Sequence, residues 1–411
     1  MQAEGENMTR DKLYEAAFRY KKAGLWKKLW DSEVLAVRLQ SGEIGYISIM
    51  GRNGEYNALG LYIGEEGFGS YLLMTDMSVY SGSEFRDREL LLRQKCLQAA
   101  FEGKEELLPE EVEEVRAYAK KNGIRLSGRN AFPQFLKYEP GRQPWKVQTQ
   151  ADMNALYEAM EAAALLADAL GGRRPNVLGI LPLERAGEEI PLFSVDKGKL
   201  VQEGFITIPD MPEEKCAYVK AENEIAIASV KKMPKRGVWE AELVMLPEAV
   251  QDDPEEAPYY PRLLMLVESK SHYMLPEPLM ECGETNPRAM LQAFADAWKS
   301  EKACPKEIQC RDERTYALLK DFCEKAGVKI GVHKGALPAL DDAQDSLWNR
   351  MSEDNGAEVT MEHLVDTIFS MDDEALQLLP KPLVEQLRQL IAQDVFPEEI
   401  AAELQIRLKG L

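Results

Sequence analysis

The sequence predicts an α+β protein of more than one domain, and three observations carry that prediction. Strand and helix patterns come in blocks rather than in strict alternation, with helical patterns alone beyond Pro338. At 411 residues the chain exceeds what one hydrophobic core usually supports. Its 45% hydrophobic and 29% charged residues are an ordinary globular composition. The expected architecture is an N-terminal antiparallel sheet with helices over 1–145, a central mixed α/β domain over 146–338, and an acidic helical region over 339–411.

Thr9 is placed to cap a first helix, whose apolar positions Leu13, Tyr14, Ala17 and Phe18 recur at helical spacing up to a break at Gly24. Val34 to Leu39, Gly45 to Met50 and Ala58 to Ile63 read as strands, and Asn53-Gly54 joins the last two as a hairpin. Helices are expected over Glu65 to Leu73, Arg88 to Phe101 and Pro109 to Asn122, the last opened by a proline and stopped by Gly123. Asn130 to Trp145 has Pro133, Pro140, Gly141 and Pro144 without period, the mark of a linker or surface loop. Ala151 to Leu170 is made of helix formers and ends at Gly171-Gly172.

From Val177 to Leu246 the pattern turns to strands in outline a meander, with turns at Asp196-Lys197-Gly198 and Pro234 to Gly237. Arg262 to Val267 and His272 to Leu275 follow as a hairpin, then a helix over Pro287 to Ser300, a strand over Lys306 to Cys310, a helix over Glu313 to Ala326 and a strand over Val328 to Val332. Strands separated by helices of that length imply parallel pairing through crossovers, a βαβαβ unit inside a mixed sheet. Beyond it, helices are expected at Asp342 to Met351, Met361 to Ser370, Pro382 to Asp394 and Pro397 to Leu408.

The formal net charge of −20 disfavours general nucleic-acid binding, which depends on Lys and Arg replacing counterions along the phosphates. Charge is unevenly spread: Arg10 to Arg38 is net +4 and Asp341 to Leu411 net −11. No cationic segment followed by an apolar one opens the chain and no run approaches 18 apolar residues, so a cytoplasmic protein with no membrane span is expected. The six cysteines lack close pairs, which fits reduced core thiols better than zinc ligands.

Two constellations raise the question of chemistry. Acids stand near several strand ends: Glu268, Asp312 and the group Asp341, Asp342 and Asp345. Separate strand ends are the usual way to gather the carboxylates of a two-metal phosphodiesterase, and Glu268, Asp312, Asp341 and Asp345 are the candidate Mg²⁺ ligands. The plainer reading is that Asp312 and Asp341 cap the helices that follow them, and it carries more weight because it needs no convergence. The glycines from Gly51 to Gly69 straddle a hairpin and lack the Gly-Lys-Ser/Thr of a phosphate cradle. With three histidines and no Gly-x-Ser-x-Gly, a serine or cysteine hydrolase lacks its usual base and elbow.

The N-terminal motifs Trp26-x-x-Leu29-x-Asp31, Gly42-Glu43-x-Gly45-Tyr46, Met50-Gly51 and Leu59-Gly60-Leu61-Tyr62-x-Gly64-x-x-Gly67, with Pro144-Trp145, resemble an uncharacterised bacterial family of unknown function over about the first 150 residues. That resemblance implies structural turns and core positions, and no activity. Leu264 to Glu268, Pro305 to Asp312, and Phe322 to Ile330 with Gly327-Val328 resemble the successive pieces of a ribonuclease H-like core over 261–345. Two departures weaken the implied activity: Glu268 stands where an aspartate is usual, and Arg311 adjoins Asp312.

No cofactor is implied outside the Mg²⁺ reading. The leading expectation is a non-enzymatic cytoplasmic binding or scaffold protein, whose partner would meet the apolar stripe of the C-terminal helices at Leu383, Leu387, Leu390 and Ile391. The alternative is a divalent-metal-dependent phosphodiesterase or nuclease on a degenerate ribonuclease H-like core.

Overall fold

The computed structural model describes residues 8–54, 56–79, 84–210, 216, 218–275, 279–280 and 287–356. The chain divides into two compact units, 1–343 and 344–411, and the first contains both sheets. The fold is α+β with two mixed sheets.

The first sheet holds β1 (Leu35–Arg38), β2 (Ile44–Met50), β3 (Asn57–Ile63), β4 (Cys96–Glu102), β5 (Phe132–Tyr138), β6 (Trp145–Lys146), β7 (Glu189–Asp196) and β8 (Lys199–Thr207). Their order is β6-β5-β4-β3-β2-β1-β7-β8, antiparallel except where β7 lies parallel to β1. Alternation along the strands sorts the two faces. Ile47, Ile49, Leu59, Leu61 and Phe101 pack with α1 (Arg10–Ala23) and α5 (Gln150–Leu170), while Tyr46 and Tyr62 pack with Phe68 and Tyr71 of α2 (Gly64–Thr75). Thr9 accepts from the Lys12 N–H and Thr149 from that of Asp152, so both long helices start at a hydroxyl cap. Between β3 and β5 run α3 (Glu84–Leu91) and α4 (Pro109–Lys121), and the short α6 (Leu183–Ala186) precedes β7.

The second sheet holds β9 (Lys235–Met245), β10 (Arg262–Glu268), β11 (Leu279–Met280), β12 (Cys304–Cys310) and β13 (Lys329–Val332) in the order β11-β10-β9-β12-β13. β9, β10 and β11 pair antiparallel, and β12 joins β9 and β13 in parallel. Ala241, Leu243, Leu264, Leu266 and Ile308 face a core built with α7 (Glu224–Lys231), α8 (Pro287–Glu301) and α9 (Glu313–Ala326), where Phe294, Trp298 and Phe322 meet. The opposite face of β9 carries Glu240 and Glu242, and α10 (Pro338–Gly356) begins against it through the Leu340 N–H to Glu240 hydrogen bond of 2.9 Å.

Several expectations are corrected or refined. The helix read over Arg88 to Phe101 ends at Leu91, and Cys96 to Glu102 is the strand β4, because β3 and β5 pair with both of its edges. The linker read over Asn130 to Trp145 contains β5. Its Pro133 lies where the two-residue β6 does not reach, so the missing N–H interrupts no ladder on that side. The meander from Val177 to Leu246 is divided: β7 and β8 complete the first sheet, whereas β9 is the central strand of the second. The hairpin of Arg262–Val267 with His272–Leu275 is present but short: the Val267–Met274 bridge is flanked by hydrogen bonds from the Leu275 N–H to the Leu266 carbonyl and from the Glu268 N–H to the Tyr273 carbonyl, while the other edge of β10 pairs along its length with β9. The supposed turn at Pro234 to Gly237 is the start of β9, where Gly237 adopts φ +67 beside the Glu268 side chain. The helix expected from Asp342 opens at Pro338, and those expected over Met361–Ser370, Pro382–Asp394 and Pro397–Leu408 lie outside the described residues.

Candidate functional site

Three of the carboxylates singled out in the sequence fall at helix starts and strand ends, each with partners of its own. Asp312 is the N-cap of α9: Oδ1 accepts from the Thr315 N–H at 2.8 Å and Oδ2 from Arg314 at 3.4 Å. Asp341, in the first turn of α10, accepts from Arg311 Nη2 at 2.5 Å and from Arg86 Nη1 at 2.9 Å. Glu268 closes β10, where its Oε2 accepts from the N–H groups of Lys270 and Ser271 at 3.0 and 2.7 Å and from the Ser271 hydroxyl at 2.8 Å. The Ser271 N–H is the main influence holding the Glu268 carboxyl below its ordinary range.

The register separates Glu268 from Asp312. Glu268 faces Trp239 on β9, while Asp312 lies two residues past Cys310, which faces Ala241. Four residues along the strands and two strand spacings across them put the backbones about 16 Å apart. Asp341 pairs with Arg311 and Asp312 with Arg314, so each acid has its own guanidinium. Asp342 pairs with His272 Nδ1 at 2.9 Å, and Asp345 lies one turn beyond Asp341 along α10, in the 344–411 unit.

The structure adds carboxylates that the sequence did not single out. Glu242, 5% exposed on the central strand, accepts from Arg311 Nε at 3.0 Å. Glu240, two residues earlier on the same face, takes the Leu340 N–H and so satisfies one of the donors that a helix start leaves unpaired. Glu89 of α3, 8% exposed, binds Arg314 Nη1 at 2.6 Å and Arg93 Nη2 at 3.3 Å. Burial pushes the Glu89 carboxyl up, and Arg314, Arg93 and Arg262 together more than offset it, leaving it below its ordinary value. Arg314 also donates to the Leu243 carbonyl at 2.8 Å, and Arg88 to that of Pro247 at 2.7 Å.

The result is a charge cluster, buried at Glu89 and Glu242 and partly exposed at Asp341, Arg86, Asp312 and Arg93, in which guanidiniums and carboxylates alternate: Glu242, Arg311, Asp341 and Arg86 in one chain, Asp312, Arg314, Glu89 and Arg93 in the other. α3 follows the first sheet's β3 in sequence, whereas β9, α9 and α10 belong with the second, so the cluster ties the two sheets together. Main-chain bonds reinforce the tie, from the Gln143 N–H to the Pro258 carbonyl and from the Tyr260 N–H to that of Gly141. Chemically, the cluster satisfies charge: among the described residues no three His, Cys, Asp or Glu side chains are grouped as a metal ion requires. Glu240-x-Glu242 escaped notice because alternation with Ala241 and Leu243 reads as the wet face of a half-buried strand. The one available clue was Arg311 beside Asp312.

Fold and site thus define a two-sheet α+β protein whose sheets are joined by partly buried ion pairs. Residues 11–178 match the family model described as Domain of unknown function (DUF7309), and residues 226–348 that described as Domain of unknown function (DUF6930). These two domains of unknown function cover most of the chain. No curated protein matches it. A chain in the cryo-electron-microscopy structure of the simian T-cell lymphotropic virus intasome in complex with PP2A regulatory subunit B56 gamma aligns at 12% identity, with a TM-score of 0.19. The alignment takes in 48% of this chain and 53% of that one, about half of each, and at that score it carries no argument. The first family match ends before β7 and β8, although those strands complete the sheet it begins.

Proposed function

We propose that this is a non-enzymatic cytoplasmic binding or scaffold protein in which the strand-end carboxylates hold the molecule together. The observation that carries this reading is that Glu89, Glu242, Asp312 and Asp341 each bind a guanidinium, and Glu268 its own turn. Mg²⁺ favours one or two carboxylates with several retained waters, and two-metal chemistry needs carboxylates around ions roughly 4 Å apart. A donor set already matched by arginine, with Glu268 about 16 Å from Asp312 along the sheet, does not fit that requirement. In this reading the ribonuclease H-like resemblance over 261–345 concerns strand order alone. Buried thiols at Cys96, Cys304, Cys310 and Cys323 suit a reducing compartment, and no helix among the described residues is long and apolar enough to cross a membrane. The partner-binding role of the C-terminal helices belongs to the same proposal.

Calorimetric titration of the full chain with Mg²⁺ or Mn²⁺ tests it. We expect no saturable binding, and the same trace for Asp312→Asn. Saturable binding that Asp312→Asn abolishes, accompanied by divalent-dependent cleavage of DNA or RNA, would establish the metal alternative instead.

A further inference from the structure

On a chain of net charge −20, one open cleft of about 510 Å³ is lined by four cations and no acid. Arg19, Lys21 and Lys22 reach it from α1 and Arg125 from the loop after α4, over an apolar wall of Phe18 and Ile124. Two of the cations are fixed parts of the wall. Lys21 donates to the Asn130 carbonyl and sits 4.4 Å over the Phe101 ring, and Arg19 pairs with Glu161. The other two are exposed, and neither Lys22 nor Arg125 has an ion pair or hydrogen bond among the described residues. With 70 acidic residues against 50 basic ones, cations left unmatched on one side of a groove create a local positive site against the field of the whole chain.

We propose that this groove binds an acidic peptide segment of a partner protein, with carboxylates on Lys22 and Arg125 and one apolar side chain against Phe18 and Ile124. The proposal rests on the binding-protein reading and gives it a site and a partner chemistry. Phe18 and Ile124 are both partly exposed, so the wall offers apolar area that a purely ionic ligand would leave wet. A peptide fits better than a nucleic acid on two grounds. An extended polyanion runs past the groove onto the acidic surface around it, whereas a short segment stays within the screening length of about 8–10 Å of the groove's cations. The Phe18 ring already stacks with Tyr118 at 6.1 Å and meets Phe101 at 5.9 Å in a T-shaped pair, so it is held within an aromatic cluster rather than standing out as a platform for successive bases.

The test is fluorescence anisotropy of the full-length protein with a fluorescein-labelled peptide, Asp-Glu-Leu-Phe-Glu-Asp, beside an Asp/Glu-only peptide of equal charge and a labelled oligo(dT). We expect the mixed peptide to bind most tightly. Lys22→Glu with Arg125→Glu should weaken it about tenfold, two exposed charge contacts being reversed, while far-UV circular dichroism and melting temperature stay at the parent values. Ile124→Ala should reduce the preference for the mixed over the purely acidic peptide. Absence of peptide binding, equal binding by the double variant, or tighter binding of oligo(dT) would each overturn the proposal. A cellular partner captured equally by parent and double variant would also remove the groove while leaving the binding-protein reading in place.

Discussion

Glu89 is where burial and charge compete most directly. Burial opposes its ionisation, yet the guanidiniums of Arg314, Arg93 and Arg262 leave its carboxyl below the ordinary range. A depressed folded-state pKa means that the group stabilises the fold above the unfolded carboxyl value of about 4.3, and that this stability is lost as pH falls through the folded value beneath it. Glu89→Gln should therefore lower stability by about 3 kcal/mol at pH 7, since it leaves buried arginine charge without its partner. Urea unfolding at pH 7 measures the loss, and the gap between parent and variant should narrow on acidification below about pH 4.3. A gap unchanged between pH 7 and pH 3 would show that packing, and not ionisation, is what the substitution disturbs. At this scale the sequence was legible where a residue acts on its own backbone, as at Asp312, and illegible where it acts across the fold. Glu242 meets Arg311 from 69 positions away, and no spacing rule connects them.

Elements bounded by strong caps were readable end to end. α1, α5 and α9 each begin at a hydroxyl or carboxylate cap and stop at a glycine, Gly24, Gly171 and Gly327. β4 was not readable, because Leu97, Gln98, Ala99 and Ala100 favour helix and only pairing with β3 and β5 makes them a strand. The role of Asp312 belongs to this scale, since its Oδ1 caps α9 whatever else its neighbours do. Asp312→Ala should cost about 1 kcal/mol, whereas Asp312→Asn keeps an acceptor at the cap and should stay within a few tenths of the parent. Chemical denaturation of the two variants separates them. Equal losses in Ala and Asn would locate the stabilisation in the contact with Arg314 rather than in the cap.

At the scale of the whole molecule, the question is why two sheets that match separate family models lie in one compact unit. Arg86 and Glu89 from α3 reach Asp341 and Arg314, and the Gly141 to Gln143 segment bonds to Ala257, Pro258 and Tyr260. The Glu89–Arg314 pair is buried and so screened little by salt, and ionic strength alone should not loosen the joint it makes. Removing partners should, because each deletion strands a charge on the other side of it. Sheets so coupled open together, and their core amides then share one opening free energy. Native-state hydrogen exchange read by peptide mass spectrometry should accordingly give similar opening energies for β3 and β12 in the parent, at low salt and in 1 M NaCl. In the Arg86→Ala, Glu89→Gln double variant the two should diverge, with one sheet exchanging at lower energy while the other keeps its protection. Values that remain equal in the double variant would assign the coupling to the main-chain bonds around Gly141 and Tyr260. The joint would then be a property of the backbone.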